Sequence, residues 1–365
     1  MTDITIVSAS PLNSGGIGRV TYHWAKELAE RGRTVRVLCS SAEGVDTDGF
    51  EVRTYGPGRY SYYWKDLYYS LKVRLQADLE GVVLSWLGLD AFLDVDHVHM
   101  GSVPRPLQNE RLARGGVTTD DVSLRQQIDD TCFSVYNYHR TMIRRAPSVI
   151  VPSPEIKETL TRYGQAIPKK TNVIPHGVSE SFIQRSADTA QQVLFIGGTM
   201  PRKGISTLLS AWAKYEGPET LLIAGYGNAN EFQVVREDCG VKPNRAKFLG
   251  FVTEEKLLEL YRESKALVLP SYEEGFGIPV LEALAAGTPV VCSDVVGSRF
   301  VIEECSGGLT FPAGDADALE TALVELLGNE SMRQQAGAAG RDHITSNYLW
   351  RHVVDDLDDV LFTTT

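Results

Sequence analysis

The sequence has few cysteines, and their spacing does not suit a metal or disulfide site. Five are present, at positions 39, 132, 239, 292 and 305. No two of them form a C-x-x-C pair, and their number is odd. Both a zinc cluster and a disulfide framework are therefore disfavoured. We expect a protein of a reducing compartment, which predicts a cytoplasmic location.

Long apolar runs and an excess of positive charge are also missing. No stretch approaches the ~20 apolar residues of a membrane-crossing helix. The N-terminal MTDITIVSAS lacks the pattern of a signal peptide. The 36 Lys and Arg residues are outnumbered by 47 Asp and Glu residues, giving a net charge of −11. This balance disfavours a nucleic-acid partner, although a local basic patch would still allow peripheral contact with the inner membrane face.

The sequence is rich instead in short apolar runs that alternate with helical patterns. Examples are Ile4–Val7 and Thr34–Cys39 in the first half, and Gln192–Gly197 and Thr220–Gly225 in the second. The runs are apolar throughout rather than alternating, as in parallel strands that are covered on both faces. Strands separated by helices predict an α/β fold with parallel sheets.

The length of 365 residues suggests about two domains, at ~100–200 residues per domain. We expect the chain to divide near Val173–Ser181, into residues 1–176 and 177–346. The final segment carries apolar residues at helical spacing, which predicts an amphipathic helix with a solvated acidic face. Its predicted core residues are Trp350, Val353, Val354, Leu357, Val360 and Leu361, and its acidic residues are Asp355, Asp356, Asp358 and Asp359.

The most specific pattern is Glu274-Gly-Phe-Gly-Ile-Pro-Val-Leu-Glu282. Gly275 and Gly277 permit a tight turn and close backbone approach, and Pro279 suits the first turn of a helix. Free N–H groups at such a helix start bind phosphate or sugar hydroxyls. Glu282 would accept hydrogen bonds from a ribose diol, and Glu274 would reach hydroxyls of a bound sugar. The alternative is a plain strand-to-helix turn with two surface glutamates.

A second pattern is the stretch Phe195–Gly204, which follows a predicted strand and precedes a predicted helix. It places Arg202 and Lys203 beside glycines. The planar fork of arginine and the compact charge of lysine together suit a diphosphate. The alternative is a solvated turn that carries two basic residues.

A third pattern, Asn13–Arg19, follows the first predicted strand. It lacks the full G-x-G-x-x-G spacing, so it supports a dinucleotide site only weakly. Its backbone N–H groups would still suit a phosphate. The alternative is a tight turn between a strand and a helix.

Two histidines, His97 and His99, stand at the end of a predicted strand. They lie on one face of an extended segment. No third ligand has a convincing spacing, so we expect no metal site. For a histidine without such support, packing in a core is the more common role.

The stretch from Ser271 to Val291 resembles the E-x7-E region of the family-4 retaining glycosyltransferases. The resemblance implies the GT-B architecture, which has two facing Rossmann-like domains and a C-terminal helix that crosses back to the first domain. It therefore assigns residues 347–365 to the acceptor-side domain that begins with 1–176. Residues 177–346 would form the nucleotide-sugar-binding domain.

The resemblance also implies roles for single residues. Glu282 would hold the donor ribose, Glu274 the donor sugar, and Arg202 with Lys203 the donor diphosphate. The family has a catalytic histidine after a strand of the first domain, near the donor sugar. The sequence His-Met-Gly-Ser that begins at His99 fits this position best, so the resemblance implies His99 as the cleft histidine, with His97 as the second choice. This sequence departs from many members, which carry an arginine where Gly198 or Thr199 stands here. The remaining donor-binding candidates are Gly16, Arg19, Gly198, Gly275, Phe276, Gly277, Ile278 and Phe251.

The expected activity is retaining transfer of a sugar from a UDP- or GDP-linked donor to a hydroxyl of a glycan, lipid-linked or small-molecule acceptor. No metal and no separate cofactor are implied, and no oligomeric state is predicted. The alternatives are a GT-B sugar-nucleotide epimerase, a phosphorylase, or a non-catalytic sugar-nucleotide binder. The aromatic segment Tyr60–Tyr69 and the basic segment His139–Arg145 are hypothesised to help bind the acceptor.

Overall fold

The computed structural model describes residues 2–13, 15–56, 62–86, 93–100, 143–162, 170–183 and 191–363, without the side chains of 62–67. The described residues fall into two compact units. The first unit contains those up to Gly177 together with those from Trp350 onward, and the second runs from Val178 to Leu349. The predicted domain boundaries, 176/177 and 346/347, lie close to the two points where the chain passes from one unit to the other.

The first unit is built on a parallel sheet in the order β3-β2-β1-β4-β5-β6-β7. Its inner strands are buried along nearly their whole length, which explains their continuous apolar sequence. The edge strand β3 is mostly exposed. The order reverses between β1 and β4, which makes their carboxyl ends a topological switch point. The strands are β1 Ile4–Val7, β2 Val35–Cys39, β3 Glu51–Thr54, β4 Val82–Trp86, β5 His97–His99, β6 Ser148–Val151 and β7 Thr171–Val173.

Helices of the first unit connect these strands. The loop after β1 leads directly into the first helix, so the start of that helix lies at the switch point. The helices are α1 Gly15–Glu30, α2 Tyr62–Gln76 and α3 Pro154–Arg162.

The second unit has its own parallel sheet, in the order β10-β9-β8-β11-β12-β13. Here the order reverses between β8 and β11, so the loops that follow these two strands meet at the carboxyl edge of the sheet. The core on its two faces is apolar, with Phe195, Trp212 and Val268 almost fully buried. The strands are β8 Gln192–Ile196, β9 Thr220–Ala224, β10 Ala246–Gly250, β11 Ser264–Leu269, β12 Val290–Ser293 and β13 Gly308–Phe311.

The helices of the second unit differ in how they begin. Several begin with a side-chain cap, as where Asn228 accepts a hydrogen bond from the Glu231 amide at 2.9 Å. The helices that follow β8 and β11 begin instead at Gly204 and Gly277, with φ of +74° and +91° and no side-chain cap. These two uncapped starts flank the switch point. The helices are α4 Ile205–Lys214, α5 Ala229–Asp238, α6 Glu254–Arg262, α7 Ile278–Ala285, α8 Arg299–Cys305, α9 Ala316–Gly328 and α10 Glu330–Asn347.

The last helix, α11 Trp350–Phe362, belongs to the first unit. Its predicted apolar face is buried, although Val360 is only partly so. Asp355, Asp356 and Asp359 of its acidic face are exposed, as expected. Asp355 and Asp358 also pair with two arginines just beyond α1, Arg31 and Arg33, each at 2.8 Å. None of the described helices combines the length and apolar character needed to cross a bilayer.

Candidate functional site

The loop after β8, residues 197–204, is shaped by two glycines that no other residue replaces easily. Gly198 has φ +64°, and a Cβ there would stand 1.7 Å from the Tyr226 carbonyl oxygen. Gly204 has φ +74°, and its Cβ would stand 1.9 Å from the Pro270 carbonyl oxygen. The loop is thus pressed against the ends of both neighbouring strands. Between the glycines, Arg202 and Lys203 lie in a short 3₁₀ turn.

The loop after β11, residues 270–277, lies along the loop after β8. The Tyr272 amide donates a hydrogen bond to the Arg202 carbonyl at 2.9 Å. The Arg202 guanidinium lies 3.5 Å from the Glu273 carboxylate, and the Lys203 ammonium forms an ion pair with Glu274. Two consecutive cations therefore face two consecutive carboxylates in register. The backbone bond fixes this register independently of the side chains.

The two ion pairs differ in burial. The side chains of Lys203 and Glu274 are 13% and 16% exposed, whereas that of Arg202 is 43% exposed. Water screens the Arg202–Glu273 pair more strongly, because an exposed pair interacts through a high dielectric. The Lys203–Glu274 pair is consequently the stronger electrostatic contact of the site.

The turn from Glu274 to Gly277 is held by the segment that follows β12. Glu274 forms a parallel bridge with Val296. The Ser298 amide donates to the Phe276 carbonyl at 2.7 Å, and the Ser298 hydroxyl donates to the Gly277 carbonyl at 3.2 Å. The first turn of α7, which has no side-chain cap, is therefore held by contacts outside the helix. Pro279 has no N–H and the Val280 amide donates to the Gly277 carbonyl at 2.9 Å, so the feature of this helix start that suits an anion is its positive dipole end.

Glu282 lies about one turn into α7 and is only 1% exposed. Its Oε2 accepts a hydrogen bond from the Tyr261 hydroxyl at 2.7 Å. The alternative expectation of two surface glutamates is therefore wrong, because Glu282 is buried and Glu274 is largely so. Sequence reasoning missed both Tyr261 and Glu273. The one sequence signal that could have indicated Glu273 is its position directly before Glu274, the first glutamate of the motif.

An exposed pair of aromatic rings lies at the carboxyl ends of β9 and β10. The rings of Tyr226 and Phe251 are 61% and 75% exposed, and their centroids are 5.7 Å apart. Phe251 is one of the predicted donor-binding residues. The structure adds an accessible side chain at that position, beside the loop that contains Gly198. A planar ligand group would find stacking partners here.

The second unit thus brings most of the predicted residues to one edge of its sheet. Glu282 lies below this edge in α7. Phe276 and Ile278 are buried, with 3% and 9% exposure, so their side chains are not accessible to a ligand. The residues at the edge are Gly198, Arg202, Lys203, Phe251, Glu274, Gly275, Phe276, Gly277 and Ile278.

Gly16 and Arg19 lie in the first turns of α1, at the switch point of the first unit. Gly16 is exposed, and a Cβ on it would meet nothing within 4 Å. The sterically demanding glycine is Gly18 instead, whose Cβ would stand 2.0 Å from the Pro11 carbonyl oxygen. Gly18 therefore fixes the turn, while Gly16 leaves open space above the helix start.

His99, the predicted cleft histidine, is fully buried in the first unit. Its ring lies 4.1 Å from that of Trp86, 5.0 Å from that of Trp24 and 5.5 Å from that of His176. Burial lowers the pKa of His99 well below its ordinary value and that of His176 to about 3. Both rings are therefore neutral at pH 7. Burial also lowers the pKa of His97, which is 5% exposed.

The aromatic and basic segments of the first unit fall partly on described residues. The backbone of Tyr62–Gln76 is helical, with Tyr68 46% exposed and Tyr69 buried. Residues 60–61, the Trp64 side chain and residues 139–142 lie outside the described part. Their proposed contribution to acceptor binding stays a prediction.

The two parallel sheets, each with a glycine-rich loop at its switch point, define a protein of the GT-B class. The solved structure of sucrose-phosphate synthase from Thermosynechococcus elongatus superposes with a TM-score of 0.79 at 22% identity, over 100% of both chains. HepE from Anabaena in complex with UDP-glucose gives 0.75 at 15% identity, again over 100% of both chains. These likenesses show the fold.

Sequence comparison identifies the family. The "Glycosyl transferase 4-like domain" model matches residues 15–177, and "Glycosyl transferases group 1" matches residues 179–343. A phosphatidyl-myo-inositol mannosyltransferase of Mycobacterium leprae is 29% identical over 359 residues, which cover 94% of this chain and 91% of the relative. The chain belongs to the family-4 glycosyltransferases and is an enzyme of that class.

Proposed function

We propose that this glycosyltransferase moves a sugar from a UDP- or GDP-linked donor to an acceptor hydroxyl, with retention of configuration and without a metal ion. The observation that carries the proposal is the pairing of Arg202 with Glu273 and of Lys203 with Glu274, at the switch point of the second unit where the chain leads into α7. Cations, an uncapped helix start and buried carboxylates together match the phosphates and hydroxyls of a nucleotide sugar. The UDP-glucose complex of HepE supports this donor class.

Each group of the site has a part in this reaction. Arg202, Lys203 and the Gly275–Gly277 backbone stabilise the diphosphate, on which negative charge grows as the bond to the sugar breaks. These fixed positive groups supply the charge that a metal ion would otherwise provide. Glu274 accepts hydrogen bonds from sugar hydroxyls, and Glu282 accepts them from the ribose.

The transfer itself follows a front-face course. The acceptor oxygen bonds to the anomeric carbon on the face from which the diphosphate leaves, and a leaving phosphate oxygen takes the acceptor proton. We assign His99 no direct contact with the donor sugar, because its fully buried ring packs against those of Trp24 and Trp86.

The acceptor is proposed to be a hydroxyl of a glycan, a lipid-linked molecule or a small molecule. The name of the mycobacterial relative, which acts on phosphatidyl-myo-inositol, favours a lipid-linked acceptor. That acceptor would place the enzyme in the cytoplasm, at the inner face of the membrane. Gly16 and Arg19, at the switch point of the first unit, are proposed to contact the donor diphosphate.

Donor binding tests the proposal directly. A thermal-shift screen with UDP-, GDP- and ADP-sugars should raise the melting temperature for the correct donor, because a ligand that binds only the folded state stabilises it. Glu282→Ala should reduce donor affinity about 10- to 100-fold, the range expected for lost hydrogen bonds to a charged group. No shift with any donor would contradict the proposal.

A matched control is available in the same unit. Glu219 is also buried, with 2% exposure, and accepts a hydrogen bond from the Tyr215 hydroxyl at 2.6 Å. It precedes β9, at the amino edge of the sheet, away from the carboxyl edge that carries the site. Glu219→Gln should lower stability without changing donor affinity in the folded protein.

A further inference from the structure

Tyr261 is held at its ring, its backbone and its hydroxyl. It is fully buried near the end of α6, and its ring packs edge-on against that of Phe182 with centroids 6.0 Å apart. Its backbone carbonyl accepts a hydrogen bond from the Thr288 hydroxyl at 2.7 Å. At the far end, its own hydroxyl donates to Glu282 Oε2 at 2.7 Å. Such a side chain has little freedom to move its hydroxyl.

Glu282, which accepts the bond from the Tyr261 hydroxyl, needs a hydrogen-bond donor. Glu282 is 1% exposed, so water cannot solvate its charge, and a buried carboxylate is stable only when hydrogen-bonded. A carboxylate offers about four lone-pair sites, so one bond from a tyrosine does not exhaust its acceptor capacity. The bond does restrict how the carboxylate can turn.

We infer that Tyr261 is a positioning residue whose hydroxyl orients the Glu282 carboxylate so that it accepts hydrogen bonds from both ribose hydroxyls of the donor nucleotide. The inference rests on the proposed function, since that proposal places the ribose at Glu282. Tyr261 does not touch the ligand itself. Its effect on the ribose passes through Glu282 alone.

The distinguishing readout is discrimination between nucleotides that differ in one ribose hydroxyl. The experiment measures the affinities of UDP and 2′-deoxy-UDP, and of GDP and 2′-deoxy-GDP, by calorimetry. The wild-type protein should prefer the ribonucleotide of its own base. Tyr261→Phe retains the ring and removes only the hydroxyl, and it should reduce this preference about 5- to 10-fold. A merely structural role would lower stability and leave the preference unchanged.

Tyr215→Phe is the matched control. It removes an equivalent hydrogen bond, 2.6 Å long, from Tyr215 to the buried Glu219 outside the site. Both variants should lose similar stability, and only Tyr261→Phe should lose ribose discrimination. Phe182→Leu is a second variant, which loosens the packing of the Tyr261 ring but retains its hydroxyl. It should also reduce the preference for the ribonucleotide over its 2′-deoxy form.

The outcomes separate the two proposals. If wild type discriminates and Glu282→Gln does not, the ribose lies at Glu282. An unchanged preference in Tyr261→Phe then overturns the inference alone. If Glu282→Gln discriminates as well as wild type, or if wild type binds none of the four nucleotides, the proposed function fails and the inference falls with it.

Discussion

Neutralising Glu274 should strengthen the binding of a nucleoside diphosphate while it slows turnover. The Lys203–Glu274 pair is largely shielded, with side chains 13% and 16% exposed. A diphosphate that binds at Lys203 competes with this carboxylate for the same ammonium. Two unit charges at ~4 Å attract by about 4 kcal/mol at an effective dielectric of ~20. In the wild-type protein the diphosphate restores most of the attraction that Lys203 loses when it leaves Glu274. We therefore expect Glu274→Gln to gain only about 1 kcal/mol of binding free energy, or roughly 5-fold in affinity.

Glu273→Gln provides the comparison for Glu274→Gln. Glu273 faces Arg202 at 3.5 Å, and the Arg202 side chain is 43% exposed, so water already screens that pair. Glu273→Gln should therefore raise affinity less than Glu274→Gln. Titration calorimetry with UDP and GDP measures both. Turnover of Glu274→Gln should fall about 10- to 100-fold, because the charged hydrogen bonds to the donor sugar are lost. Weaker diphosphate binding in Glu274→Gln would refute the reasoning.

Two further predictions concern backbone shape and pH. Gly198→Ala should destabilise the fold by about 1–2 kcal/mol from its positive φ alone, and by more because its Cβ would stand 1.7 Å from the Tyr226 carbonyl oxygen. Gly16→Ala should be neutral or slightly stabilising. Chemical denaturation measures the free energy of unfolding of both variants, and equal losses would contradict the geometry. Burial lowers the pKa of His176 to about 3, so the unfolded chain binds the additional proton as pH falls below about 6.5. Stability from this group is nearly complete above pH ~7.5 and should be about 1.4 kcal/mol lower at pH ~5.5. His176→Asn should remove that part of the pH dependence in unfolding measured between these values, and an unchanged slope would contradict it.

Much of the fold was predictable because buried parallel strands are apolar throughout. The runs at Ile4–Val7 and Gln192–Ile196 marked strands without any knowledge of their neighbours. Short or exposed strands gave no such signal. Glu51–Thr54 is mostly exposed and charged, and Thr171–Val173 has only 3 residues. The order of strands in each sheet depends on contacts far apart in sequence, so it did not follow from local pattern.

The residues of the candidate site likewise divide into those that a local pattern indicated and those that it did not. Glu274, Arg202 and Lys203 were found because they lie close to glycines at strand-to-helix turns, and Glu282 because it follows Glu274 by eight positions; both are local patterns. Tyr261 was missed because it lies 21 positions before the carboxylate that it contacts and resembles an ordinary core tyrosine.

The acidic face of α11 shows the same limit of local pattern. Its charges looked solvated, yet two of them pair with Arg31 and Arg33, more than 300 positions away. Ion pairs of this kind become visible only when the fold brings distant segments together. The burial of His99 between Trp24 and Trp86 arises in the same way, because these rings come from three separate elements.

The product formed from an isotope-labelled donor tests the central claim most directly. The donor identified by thermal shift is incubated with the enzyme and a panel of glycan, lipid-linked and small-molecule acceptors, and the products are characterised by NMR. The account predicts a new glycoside with the anomeric configuration of the donor. An inverted glycoside, an altered sugar nucleotide, or tight donor binding without any product across the panel would contradict it.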